Sequence, residues 1–113
     1  MSPASEVIIE ESKLRDYLLS IAHPVGGPKA RFFLDHGFSR ENPGELEDAL
    51  HEHLRLRRSE QRIATEFGIK WIVKGPIPCP DRRSPVIQSV WIQDSGGEAF
   101  RFVTAYPGDP KTS

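Results

Sequence analysis

Apolar residues along this chain follow two rhythms, and the change between them divides it near residue 60. Before that point they recur at spacings of three and four, the period of a helix; after it they alternate. Leu14, Tyr17, Leu18 and Ile21 make the first helical stripe, with Ser12 placed to N-cap it. His23-Pro24 ends that helix, because a residue before proline is pushed out of the α region. Gly27-Pro28 restarts it, proline being suited to the first helical position. The second helix carries Lys29, Phe32, Phe33 and His36 and stops at Gly37, a left-handed C′ residue that sets Phe38 against Phe33. Asn42-Pro43-Gly44-Glu45 opens a third helix with a capping side chain and a first-turn proline. Its stripe is Leu46, Ala49, Leu50 and Leu54, with the aliphatic stem of Arg57 beside it.

The alternating half reads as four strands: Ile63/Thr65/Phe67, Ile69/Trp71/Val73, Val86/Gln88/Val90/Ile92, and Phe100/Phe102/Thr104. Asp94-Ser95-Gly96-Gly97 predicts a hairpin between the last two. Gly75 to Pro85, with four prolines, predicts a loop or an edge-strand extension, since proline cannot donate to a ladder. The expected fold is α+β, with three N-terminal helices packed on a four-stranded antiparallel β-meander. A single domain over residues 6–107 is expected, with disordered termini at 1–5 and 108–113.

Length and composition narrow the function classes. The 113 residues suffice for one core, and 37% apolar with 27% charged residues is the balance of a soluble protein. No apolar run approaches the roughly 20 residues of a membrane helix, and no signal pattern opens the chain. Cys79 is the only cysteine, so no internal disulfide is possible and a cytoplasmic location is favoured. Net charge is −1, with 8 Lys/Arg against 11 Asp/Glu up to residue 60 and 7 against 5 beyond it. That balance is less basic than is usual for a nucleic-acid binder, although a local basic cleft is enough to hold a few phosphates.

Candidate chemistry gathers at two ends of the chain. His23 sits in a Pro/Gly loop with an unshifted pKa of about 6.5, so it can move a proton near neutrality. Its plainer role is a helix C-terminal cation stabilised by the dipole. Lys29 lies in a first helical turn, where the dipole disfavours cations but exposed N–H groups favour a phosphate. Gly26 and Gly27 can add backbone donors there, and an exposed solvated lysine is the alternative. Thr104 can donate to a phosphate, and Tyr106 can stack on a base or give up a proton. Either can equally be an ordinary strand residue. In a regular strand these two share a face with Phe100 and Phe102, and Arg101 lies opposite. Arg101 and Lys74 are therefore second-rank phosphate ligands. His51 and His53, two apart on a helix, face different ways and share no metal. No nucleotide-binding Gly loop and no nucleophile elbow occurs, so no cofactor is expected.

Leu14-Arg15-Asp16-Tyr17-Leu18-Leu19, His23-Pro24, Lys29-Ala30, Phe32-Phe33, Gly37-Phe38, Gly75-Pro76, Val90-Trp91 and Val103-Thr104-Ala105-Tyr106-Pro107 carry a further signal. Together they resemble a family of short bacterial domains of unknown function, over about Ile8 to Pro107. Such domains also occur at the C-termini of large secreted proteins and beside small partner genes. The layout is similar to the barnase–EndoU–colicin–RelE ribonuclease-toxin superfamily. That resemblance implies a metal-independent endoribonuclease toxin that leaves a 2′,3′-cyclic phosphate, paired with a small antitoxin or immunity protein. It also implies catalytic roles for His23, Lys29, Thr104 and Tyr106, which stand where the contact-dependent-inhibition toxins of that superfamily place a His, a Lys and a T-x-Y/F-P strand. Several of those enzymes use two histidines, and here the only spare near Lys29 is His36. The rival expectation is a non-catalytic interaction module that binds an acidic partner through Arg55, Arg57, Arg58 and the Pro-rich loop.

Overall fold

The computed structural model describes residues 6–20, 22, 27–94 and 97–108. A five-stranded sheet in the order β1-β5-β4-β3-β2 carries three helices. The strands are β1 (Val7–Ile8), β2 (Ser59–Thr65), β3 (Gly68–Pro76), β4 (Val86–Asp94) and β5 (Phe100–Pro107). β2 to β5 pair antiparallel in sequence order, as the alternation predicts. The correction is β1, which adds a parallel edge strand, Val7 opposite Phe100 and Ile8 opposite Arg101. The sheet is therefore mixed, not a four-stranded meander. Two residues are too few to display a period, so β1 exists only through its partner. Residues 1–5 and 109–113, where disorder is expected, lie outside the described residues; Gly108 donates its N–H to the Val86 carbonyl at 2.9 Å.

α1 (Glu11–Lys13) runs straight into a π-helical turn, Leu14–Leu18, closed by the Leu19 N–H on the Leu14 carbonyl at 2.8 Å. The turn buries Leu14, Leu18 and Leu19. The cap is Glu10, one turn-half earlier than the expected Ser12, and its side chain makes no capping bond. α2 (Gly27–Asp35) ends as its sequence predicts. Gly37 takes φ +98°, Gly37 N–H bonds to Leu34 and Phe38 N–H to Phe33, and the Phe33 and Phe38 rings meet edge to face at 6.2 Å. α3 (Pro43–Arg55) has proline in its first turn, but the Asn42 side chain makes no capping bond.

Leu46, Ala49, Leu50 and Leu54 of α3 are buried with Leu14, Leu18 and Phe33 against Val73, Ile87, Trp91, Phe100, Phe102 and Ala105 of the sheet. Phe67 departs from expectation: it is 77% exposed, because the chain turns there between β2 and β3 instead of continuing as strand. At the far end of α3 the backbone touches the sheet. A Cβ on Gly75 would lie 2.8 Å from the Arg57 Cα, so a side chain here would push the segment just after α3 off β3.

This close approach delivers His53 into the core, wholly inaccessible to solvent. Trp91 Nε1–H donates to Ser89 Oγ at 2.8 Å, so the Ser89 hydroxyl is free to donate to His53 Nε2 at 2.7 Å. His53 Nδ1–H then donates to the Pro76 carbonyl at 3.3 Å, which makes the imidazole neutral. Burial pushes its pKa down to about 4, against weaker support from the Pro76 and Gly75 carbonyls. Below about pH 6.5 the unfolded chain takes a proton that the folded chain refuses. Stability should therefore be flat above that pH and fall by about 3 kcal/mol between there and pH 4. Urea unfolding across that range checks it: His53→Gln should flatten the slope, and an unchanged slope would refute the assignment.

Candidate functional site

The position of Thr104 comes from an irregularity in β5. Val90 pairs with Thr104 but Trp91 pairs with Phe102, so one extra residue, Val103, is accommodated in a bulge. Phe100, Phe102 and Ala105 stay buried on the helix side. The expectation that Thr104 and Tyr106 share a face with the two phenylalanines is thus overturned, as is the placing of Arg101 opposite Thr104. Arg101 pairs with Ile92 and Thr104 with Val90, both out of phase with Trp91. β1 covers β5 only at Phe100 and Arg101, so among the described residues the outer edge beyond them has no strand beside it.

Three hydroxyl- or amine-bearing side chains from three elements meet at Thr104. Lys29, in the first turn of α2, places Nζ 2.8 Å from the Tyr17 hydroxyl and 3.2 Å from Thr104 Oγ1, donating to both. The Tyr17 and Thr104 hydroxyls are themselves 2.9 Å apart and share a hydrogen bond. The ammonium also lies 5.4 Å from the centre of the Tyr17 ring and 6.0 Å from that of Tyr106. Lys13 Nζ lies 5.6 Å from the centre of the Tyr17 ring as well. All three hydrogen-bonded side chains are partly buried.

The electrostatics of this cluster favour an anion. Among the described residues no carboxylate pairs with Lys29, whose two acceptors are neutral hydroxyls. Burial pushes the Tyr17 phenol up, but hydrogen bonds from Lys29 and Thr104 and the charges of Lys29 and Lys13 outweigh it. The phenol is held below its ordinary value of 10.0. Lys29 therefore acts as a fixed positive charge beside a helix N-terminus, where backbone N–H groups are unpaired by the helix itself.

Of the residues that sequence reasoning nominates, Lys29, Thr104 and Tyr106 come together. His23 and Gly26 lie outside the described residues, and Gly27 opens α2 two residues before Lys29. Lys74 stands in the same cross-sheet row as Tyr106, through Gln88 between them. Tyr106 itself donates to Gln88 Oε1 at 3.4 Å. Arg101 is not brought in: both terminal guanidinium nitrogens are tied to Asp94 at 3.1 and 3.2 Å, on the exposed surface. Tyr17 is the residue that sequence reasoning missed. It reads there as one member of an apolar stripe, yet a half-buried tyrosine needs a partner for its hydroxyl, and that need was the available signal.

Outside this cluster the remaining candidates are accounted for by structure. His36 Nδ1 bonds with the Phe32 carbonyl at 2.8 Å and its ring stacks on Phe32 at 4.3 Å. Cys79 is buried in the Pro-rich loop, where burial first and the Asp81 charge second push its thiol up to about 11. Among the described residues no group of three His, Cys, Asp or Glu side chains gathers as a metal site, and no helix is long and apolar enough to cross a membrane.

No curated protein matches this sequence. Among solved structures, a chain of a contact-dependent growth inhibition toxin–immunity protein complex from Klebsiella pneumoniae 342 superposes with a TM-score of 0.68. The alignment spans 88% of this chain and 98% of that one at 16% identity, a level at which the fold is what is shared. The family described as a domain of unknown function, DUF6883, matches residues 1–109, and the chain, with its Lys29–Tyr17–Thr104 cluster, belongs to that family.

Proposed function

We propose that this domain is a toxin-type endoribonuclease, active without a metal ion and held in check by a cognate immunity protein or antitoxin. One observation carries the reading: a partly buried ammonium, Lys29, rests on two hydroxyls and faces no carboxylate among the described residues. A phosphodiester supplies the missing negative charge. The fold shared with a toxin–immunity complex supports the same class of protein and of partner.

In this mechanism the ribose 2′-hydroxyl attacks the adjacent phosphorus, and the 5′-oxygen leaves. Charge builds up on the non-bridging oxygens, where Lys29 stabilises it and Thr104 orients one oxygen. The backbone of Gly26 and Gly27 adds N–H donors, and His23, which precedes them in sequence, moves a proton. Tyr106 stacks on a base beside Lys29. Lys74, in the row of Tyr106, contacts a flanking phosphate, and the cytoplasm is where such a substrate is met. The rival reading through Arg55, Arg57 and Arg58 is weaker, because Arg55 pairs with Glu52 and Arg57 with Glu60, which compensates their charge within the chain.

The test is cleavage of a structured RNA by purified protein in excess EDTA, beside His23→Ala. The expected products carry 2′,3′-cyclic phosphate and 5′-hydroxyl ends, and the variant loses on the order of 10²–10⁴-fold in rate. A protein that leaves RNA intact and does not slow growth when expressed without its partner would end this reading.

A further inference from the structure

Transesterification of RNA needs two proton transfers, one from the attacking 2′-hydroxyl and one to the leaving oxygen. The chain has four histidines, and those within the described residues are committed elsewhere or remote in role. His36 is bonded and stacked to Phe32, His53 is sealed in the core with Ser89, and His51 is exposed on α3. The hydroxyl of Tyr106 turns to Gln88. Among the described residues, the ionisable group that lies against both Lys29 and Thr104 is the phenol of Tyr17, brought across 87 residues of sequence to Thr104.

Resting on the ribonuclease reading, we infer that Tyr17 is a catalytic residue of this centre, the base that takes the proton of the ribose 2′-hydroxyl while Lys29 holds its oxygen. The step balances as follows. The phenolate of Tyr17 accepts the proton as the 2′-oxygen bonds to phosphorus. The bond from phosphorus to the 5′-oxygen breaks with its electron pair on oxygen, and that oxygen takes a proton from the His23 imidazolium. No oxidant, reductant or water is consumed, and proton exchange with solvent restores both groups.

The surroundings of Tyr17 suit this role. Lys29 donates to its oxygen from α2, and Thr104 lies within hydrogen-bond distance from β5. Lys13 sits over the ring on the same helical segment. The adjacent Asp16 carboxylate, which would oppose a phenolate, is engaged by Arg15 and Arg40 instead. These cations and donors favour the anionic phenol over its ordinary state, against the opposing effect of burial. Tyr17 lies on the π turn Leu14–Leu18, whose Leu14 and Leu18 stay in the core.

With a base that titrates above its acid partner, the rate profile remains a bell; its acid limb follows the imidazole and its alkaline limb the phenol. The experiment measures kcat and KM for wild type and Tyr17→Phe from about pH 5 to about pH 10. The same protein carrying Tyr106→Phe leaves Tyr17 as the single phenol, since the chain has two tyrosines, and its ionisation is followed by near-ultraviolet absorbance. Phenylalanine keeps the ring in place, and thermal unfolding verifies that the variant folds. Tyr17→Phe should lower kcat on the order of 10²–10⁴-fold, leave KM little changed and erase the alkaline limb. The lone phenol should titrate below the ordinary tyrosine range and return to it when Lys29→Met is added. If wild type cleaves RNA while Tyr17→Phe keeps its rate and its alkaline limb, the role of Tyr17 is refuted and the nuclease stands. A phenol that titrates in the ordinary range also refutes it. An inactive wild type removes the nuclease reading and the base together.

Discussion

Lys29→Met is expected to lower RNA cleavage by on the order of 10²–10³-fold in kcat, the loss seen when one preorganised donor to a developing oxyanion is removed. Methionine keeps most of the stem length, so the packing around α2 changes little. The Tyr17–Thr104 hydrogen bond needs no ammonium and should persist. What disappears is a positive charge already in place before the substrate arrives, with no solvent reorganisation needed when charge builds on the phosphate. Lys29→Arg should recover part of the rate, because it restores charge without restoring the compact donor geometry. Single-turnover kinetics with a short RNA would check this, with unfolding measured alongside. Equal rates for Lys29→Met and wild type would show that the ammonium takes no part in stabilising the transition state.

Trp91→Ala should cost about 4 kcal/mol of stability, in the range for a large aromatic removed from a closed core. Trp91 is wholly inaccessible to solvent and meets Phe102 edge to face at 5.2 Å. Its indole N–H also determines the direction of the Ser89 hydroxyl, and through it the tautomer of His53. Truncation therefore opens a cavity and loosens a buried polar chain at once. Trp91→Phe should cost less, about 1–2 kcal/mol, by keeping much of the volume while losing the donor. Urea unfolding of both variants decides: a loss below about 1 kcal/mol for the alanine variant would mean that the core collapses to fill the space.

These two residues stand at different distances from what a sequence reveals. Trp91 lies in a strand that periodicity identifies, but the alternation of Val86, Gln88, Val90 and Ile92 sets it on the other face; the structure buries Ile87, Ser89 and Trp91 instead. Lys29 is legible as a cation misplaced by the dipole rule, and Thr104 and Tyr106 as polar residues at a strand end. Their meeting was an expectation that rested on how the second helix would sit over the last strand. His53 was legible only as one of two histidines two residues apart; the Gly75 approach that draws it inside is a property of the packed helix and sheet.

Local chemistry sufficed wherever a signal and its consequence lie within a few residues. The stop of α2 at Gly37, the proline at the start of α3 and the antiparallel order from β2 to β5 all have this character, because backbone sterics and period act over one or two turns. Tertiary structure alone decided the parallel edge strand β1, the bulge at Val103 and the place of Tyr17. A two-residue strand has no rhythm of its own, and a bulge is defined only by its partner strand. A phenol acquires a low-lying anion only when an ammonium and a hydroxyl from distant parts of the chain close around it.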